Sequence, residues 1–159
     1  MKKKKTLVLG LGNEILTDDG IGPKLVKDIS VTTDDPDIHF DIACCGGLEI
    51  MEHIRDFERV IIIDAIRTKN GNPGDVYRFK PQDFMETSNL SSVHDINFLT
   101  AIKLGAVLDM KLPEEMHILA VEIIEDLEIS DEFTPPVKKK YPQILEEVKS
   151  CIKEFSDNQ

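Results

Sequence analysis

The run Val60-Ile61-Ile62-Ile63, inside "RVIIIDAI" (59–66), sets the terms for the fold. Four successive β-branched apolar residues offer no polar face, so a strand made from them must be covered on both sides. Such strands belong to parallel sheets, whose crossover helices supply the cover. "TLVLGL" (6–11) and "MHILAVEI" (116–123) read as further strands. "IHFDIACC" (38–45) alternates like a strand, and "VYRFK" (76–80) has the short alternation of an edge strand. Helical spacing appears from Gly22 or Pro23 through "PKLVKDIS", in "LEIMEHIRDF" (48–57), in 95–110, and in 137–155 with a kink expected at Pro142. The expected fold is a three-layer α/β/α sandwich around a twisted, mostly parallel five-stranded sheet, hydrolase-like, in a single domain spanning 1–159.

Charge narrows the function. The formal net charge is −11, from 30 acidic residues against 19 Lys and Arg. Nucleic acid and anionic membrane both call for a cationic surface, so neither is an expected partner. A basic segment of another protein is compatible. The start "MKKKKTLVLGLGNE" imitates a signal peptide, but its apolar part is Leu7 to Leu9 plus Leu11 and runs directly into an acidic turn. No run approaches the ~18 apolar residues of a membrane span. The three cysteines, Cys44, Cys45 and Cys151, have no CxxC spacing. Reduced thiols in the cytoplasm are the expectation.

In open α/β sheets, ligands gather beyond the carboxyl ends of the strands. The first such loop is "LVLGLGNEILTDDGIG" (7–22), whose glycines suggest a phosphate and whose acids suggest a cation. The dinucleotide fingerprint fails because position 15 is Ile, and Gly22-Pro23 does not continue as a P-loop. Asp18 and Asp19 would repel an anion at a helix start. The local reading makes Asp18 a helix cap and turns Asp19 toward the cleft. Asp64 falls at the end of the Ile-rich strand, as a site residue or a turn former. His39 and His117 lie within strands and His53 on a helix. His94 opens a helix, where the dipole favours the neutral, metal-binding imidazole. Asp19, Asp64 and His94 on three loops make a plausible divalent-metal triad with open positions. A metal held there would polarise a carbonyl and activate water. No H-E-x-x-H or G-x-S-x-G motif is present, and Ser91 and Ser92 near His94 do not establish a serine triad.

"LVLGLGNEILTDDGIG", "VIIIDAI" and "SSVHDINFL" together resemble the nickel-iron hydrogenase maturation proteases, and the resemblance extends through "HILAVEI" and "FTPPVKKKYPQILEEV". It implies an endopeptidase that removes the C-terminal extension of a hydrogenase large-subunit precursor after nickel insertion. It places the family's metal-contacting and catalytic positions on Asp19, Asp64 and His94. The nickel would come from the precursor, another divalent metal substituting in vitro. The glycines would let a substrate backbone come close.

Where many members carry an Asp-Gly-Gly-Thr stretch, this chain has "IACCGGLE", with Ile42 in place of the Asp. Cys44 and Cys45 are expected to be small buried residues beneath a glycine turn, the other reading being a thiol near nickel. Glu122 approaches the same edge and is left unassigned. Two other functions stand beside the protease. One is a non-catalytic nickel-sensing or chaperone-like module that binds the precursor tail. The other is a nucleotide-binding domain, which the Asp18-Asp19 pair disfavours.

Overall fold

The computed structural model describes residues 4–44, 48–85 and 102–158. Five strands form one sheet: β1 (Thr6–Leu11), β2 (Ile38–Ala43), β3 (Arg59–Ile66), β4 (Val76–Phe79) and β5 (Glu115–Glu122), in the order β2-β1-β3-β5-β4. Pairing is parallel from β2 through β5, and β4 is the antiparallel edge strand. Among the described residues the α-helices are α1 (Ile21–Ser30), α2 (Leu48–Ile54), a helical stretch at 102–107 (α3), and α4 (Pro135–Asp157).

The pleat divides the core in two. Ile61, Ile63 and Ala65 of β3 pack with Leu25 and Val26 of α1 and Val137, Ile144 and Val148 of α4. Val60 and Ile62 face the other way, onto Ile50, Met51 and Ile54 of α2, with Ile102 packed against the same cluster. Both faces of the sheet are therefore covered, as the apolar run in β3 requires. The expected three layers and mostly parallel five-stranded sheet are present.

Some boundaries differ from the sequence reading. β2 stops at Ala43, whose carbonyl accepts the N–H of Gly12 at 3.1 Å. Cys44 falls beyond that last bond and is exposed, a correction to the expected buried cysteine. Cys45 lies outside the described residues. α2 ends at Ile54, three residues earlier than its apolar spacing suggests. α4 continues through Pro142, whose ring leaves the Lys138 carbonyl without its helical N–H donor. Of the helix expected over 95–110, residues 95–101 lie outside the described residues, 102–107 are helical, and 108–110 are not, so the helix ends three residues earlier than its spacing suggests. Among the described residues no helix is long and apolar enough to cross a membrane.

Candidate active site

The strand order creates the site. From β1 the chain crosses to β2 on one side, then returns past β1 to β3 on the other. The carboxyl ends of β1 and β3 therefore flank a topological switch point, where α/β sheets open a crevice. Asp19 follows β1 and Asp64 lies in β3.

Three glycines bring these segments together, and they do so by admitting the protein's own backbone. A Cβ on Gly22 would stand 2.5 Å from the carbonyl oxygens of both Ile63 and Leu11. A Cβ on Gly10 would stand 2.7 Å from the Gly22 carbonyl oxygen. Gly12 has φ +144°, and a Cβ there would overlap the Asp19 carbonyl oxygen. The start of α1 is thus seated directly on β1 and β3. The expectation that these glycines admit a substrate backbone is corrected: the space is already filled by the chain itself.

Asp18 and Asp19 have separate tasks. Both lie in a short 3-10 turn, Thr17–Gly20, that leads into α1. Asp18 is fully buried and does not cap either helix. Its Oδ2 accepts the N–H groups of Ile124 and Glu125 at 3.1 and 3.2 Å. Thr134 donates its N–H to Oδ1 at 2.7 Å and its hydroxyl to Oδ2 at 2.8 Å. The long acidic loop supplies Asp18 with partners that no local pattern reveals, and this overrides the capping role. Asp19 is 5% exposed, and its Oδ2 accepts the Asn13 N–H at 2.7 Å. That bond fixes the carboxylate against the loop leaving β1.

Asp64 lies inside β3, two residues before its end, and pairs with Ala120. The sequence reading put it at the strand terminus. The ladder to β5 continues through Ile66, because Ala65 and Ile66 are as well buried as the isoleucines before them. Asp64 is 8% exposed, and its Oδ1 accepts the Ala65 N–H at 2.8 Å. Alternation places it beyond Val60 and Ile62, on the sheet face that α2 covers.

His94, with Ser91 and Ser92, lies outside the described residues. Among the described residues no group of three or more His, Cys, Asp or Glu is gathered for a metal ion. The structure brings the Asp19 loop and Asp64 to one edge of the sheet. Two buried carboxylates are hard, anionic donors of the kind a divalent cation takes.

Glu122, left open by the sequence, is a structural acid. It is 2% exposed and accepts the N–H and hydroxyl of Thr68 at 2.7 and 2.9 Å. Gly71 leaves the space for its carboxylate. Two features were missed in the sequence. The Asp18 network needs contacts over more than a hundred residues, and only the pairing of Asp18 with the "TPP" that opens α4 hints at it. Arg59 is buried at the opposite edge, lying 4.0 Å over the Phe155 ring and bonded to the Phe155 carbonyl and, at 3.0 Å, to Glu115. Its place before an apolar strand gives no local sign of this.

The hydrogenase maturation protease family model (HycI) matches residues 23–151. The chain is 28% identical over 156 residues to the hydrogenase 2 maturation protease of Escherichia coli, covering 94% of this chain and 92% of that one. It is 27% identical over 150 residues to the coenzyme F420 hydrogenase subunit delta of Methanothermobacter thermautotrophicus, covering 88% of this chain and 89% of that one. Among solved structures, the hydrogenase maturating endopeptidase HybD from E. coli superimposes with a TM-score of 0.74 at 27% identity, covering 95% of this chain and 93% of that one. The chain belongs to the hydrogenase maturation protease family and is an endopeptidase of hydrogenase maturation.

Proposed function

We propose that this endopeptidase removes the C-terminal extension of a nickel-iron hydrogenase large-subunit precursor once nickel has been inserted. In this reading Asp19, Asp64 and His94 contact a nickel ion that arrives with the precursor, so the metal is part of the substrate. The observation that supports the reading is a pair of buried carboxylates on neighbouring segments, Asp19 in the turn after β1 and Asp64 in the adjacent strand β3. A bound cation supplies Lewis-acid polarisation at the scissile carbonyl. The chain's own part is to hold the two carboxylates in fixed directions, Asp19 through the Asn13 N–H and Asp64 through the Ala65 N–H. Carboxylates fixed in this way need little reorganisation when the loaded tail docks.

A second reading is favoured by the relative named as a hydrogenase subunit. In it the chain binds the precursor tail as a nickel-sensing or chaperone-like module and does not cut it. The discriminating experiment is the intact mass of a nickel-loaded precursor before and after incubation, beside a nickel-free precursor and Asp19→Asn. Loss of a C-terminal peptide only with nickel and intact Asp19 is the expected result. Tight binding with unchanged mass would favour the module.

A further inference from the structure

We propose that the acidic loop 124–132, with Ile15 beside it, is a docking surface for an apolar segment of the precursor that carries lysine or arginine side chains. The proposal rests on reading the chain as a precursor-processing protease.

The loop turns its apolar side chains outward. Leu127 and Ile129 are each 79% exposed, Ile15 is 57% exposed, and Ile124 is also exposed. Single exposed apolar residues are common on any surface. These differ because the backbone gathers them. Ser130 donates its N–H to the Ile15 carbonyl at 3.0 Å, and Thr17 donates its N–H to the Ser130 carbonyl at 2.9 Å. The result is a parallel bridge between Leu16 and Ser130. The bridge sets the backbone of Ile15 beside that of Ile129, the residues that precede each bridge partner.

The loop is also held firmly. Asp18 binds both its ends, through the N–H groups of Ile124 and Glu125 and through Thr134. Thr17 donates its hydroxyl to the Glu128 carbonyl at 2.6 Å, and has φ +52°, an unusual conformation for a β-branched residue. The Glu125 carboxylate accepts the N–H groups of Leu127 and Glu128. Apolar side chains on a fixed backbone bind a partner with little ordering cost.

Charge specifies the occupant. Arg67 is engaged by Asp126, Lys138 by Glu132 and Lys27 by Glu14. Glu128 and Asp131 are exposed, and among the described residues no ion pair engages either. An apolar centre with unneutralised acids on its rim complements an apolar segment bearing cations. A cleft of about 200 Å³ adjoins the loop, lined by Glu14, Gly20, Asp131 and Phe133 and also by Lys24, Glu132 and Lys138; with two lysines on its wall it suits an apolar side chain of the segment and not a cation. The placement suits processing, because the turn bonded to this loop is the one that carries Asp19. A segment lying across Leu127 and Ile129 would present the adjoining chain to that carboxylate.

The test uses the whole protein and a purified, nickel-loaded precursor. Leu127→Ser/Ile129→Ser should raise KM roughly tenfold, as loss of a central apolar contact does. Its kcat should stay within about twofold, because the lost contact is made equally in ground and transition states. Glu128→Lys/Asp131→Lys, an independent arm, should weaken binding and flatten its dependence on salt. Val31→Ser, at an exposed apolar residue just past the end of α1, should change neither value. An unchanged KM in both double variants, with wild-type cleavage intact, overturns the docking surface alone. Sedimentation that shows a wild-type dimer becoming monomeric in Leu127→Ser/Ile129→Ser, again with unchanged KM, assigns the surface to a second copy and also overturns it. If the wild-type protein neither binds nor cleaves the cognate precursor, the functional reading fails and the docking surface fails with it.

Discussion

Thr134 grips Asp18 with two donors, its backbone N–H on Oδ1 at 2.7 Å and its hydroxyl on Oδ2 at 2.8 Å, so the residue that precedes the last helix is tied to the first turn of the chain. With Ile124 and Glu125, this gives a fully buried carboxylate four donors. The acid beside the candidate site residue therefore acts on the fold. Asp18→Ala would leave those donors unpaired, at a cost of about 3–5 kcal/mol. In a domain of this size that corresponds to a fall in Tm of roughly 10 °C or more. Asp18→Asn should cost a comparable amount, because its amide group would face an N–H donor. A thermal melt of each variant checks this. A Tm within about 2 °C of wild type would mean that the loop is held by something else.

Asp19→Asn and Asp64→Asn should behave in the opposite manner. Each keeps an oxygen able to accept the local N–H, from Asn13 or Ala65, so the fold should lose little. Each removes a negative charge from the switch point. Loss of a cation's transition-state stabilisation is worth several kcal/mol, or a fall in cleavage on the order of a thousandfold. Precursor cleavage followed by mass, with a melt beside it, separates the two effects. Near-normal cleavage in either variant would remove that residue from the proposed site.

The contrast between these neighbours shows what a sequence conveys and what it withholds. The parallel sheet was legible because covering both faces of a strand leaves a direct mark, the unbroken Val60 to Ile63 run. The edge position of β4 was legible from its short alternation. Asp19 and Asp64 were legible as acids following or ending apolar runs, since the sheet sends such residues to one edge. The task of Asp18 was not, because its partners, three backbone N–H groups and the Thr134 hydroxyl, lie more than a hundred residues away, and backbone donors have no residue identity. Gly12 and Gly22 were recognised as permissive, but what they permit is visible only when the approaching backbone is in place. Arg59 was hidden for the same reason: its partners come from β5 and the end of α4.

Gly12→Ala tests the packing role of the glycines. The substitution adds a methyl group where the Asp19 carbonyl oxygen lies and requires a φ of +144° that alanine resists. Overpacking and backbone strain together should cost about 2–5 kcal/mol. Because the displaced atom belongs to Asp19, cleavage should fall even in the fraction that remains folded. A melt and a cleavage assay on the folded fraction check both parts. A stable and fully active Gly12→Ala protein would show that the loop has room to shift.

His117 sets an acid limb on stability from the edge opposite the site. Its ring lies 4.6 Å from the Phe155 ring, close to Glu115. Burial pushes its pKa below the ordinary value near 6.5; the charges of Lys80 and Arg59 push the same way, and Glu115 opposes them. The folded state therefore binds this proton less readily than the unfolded chain does. The stabilisation is full above about pH 6.5 and is lost as pH falls through the lower folded pKa. The partial exposure of the ring keeps the effect modest. Replacing His117 with Phe keeps an aromatic ring against Phe155 and removes the titration. The variant's Tm should then fall less than the wild-type Tm between pH 7 and pH 5. Parallel slopes for the two proteins would show that His117 does not set the acid limb.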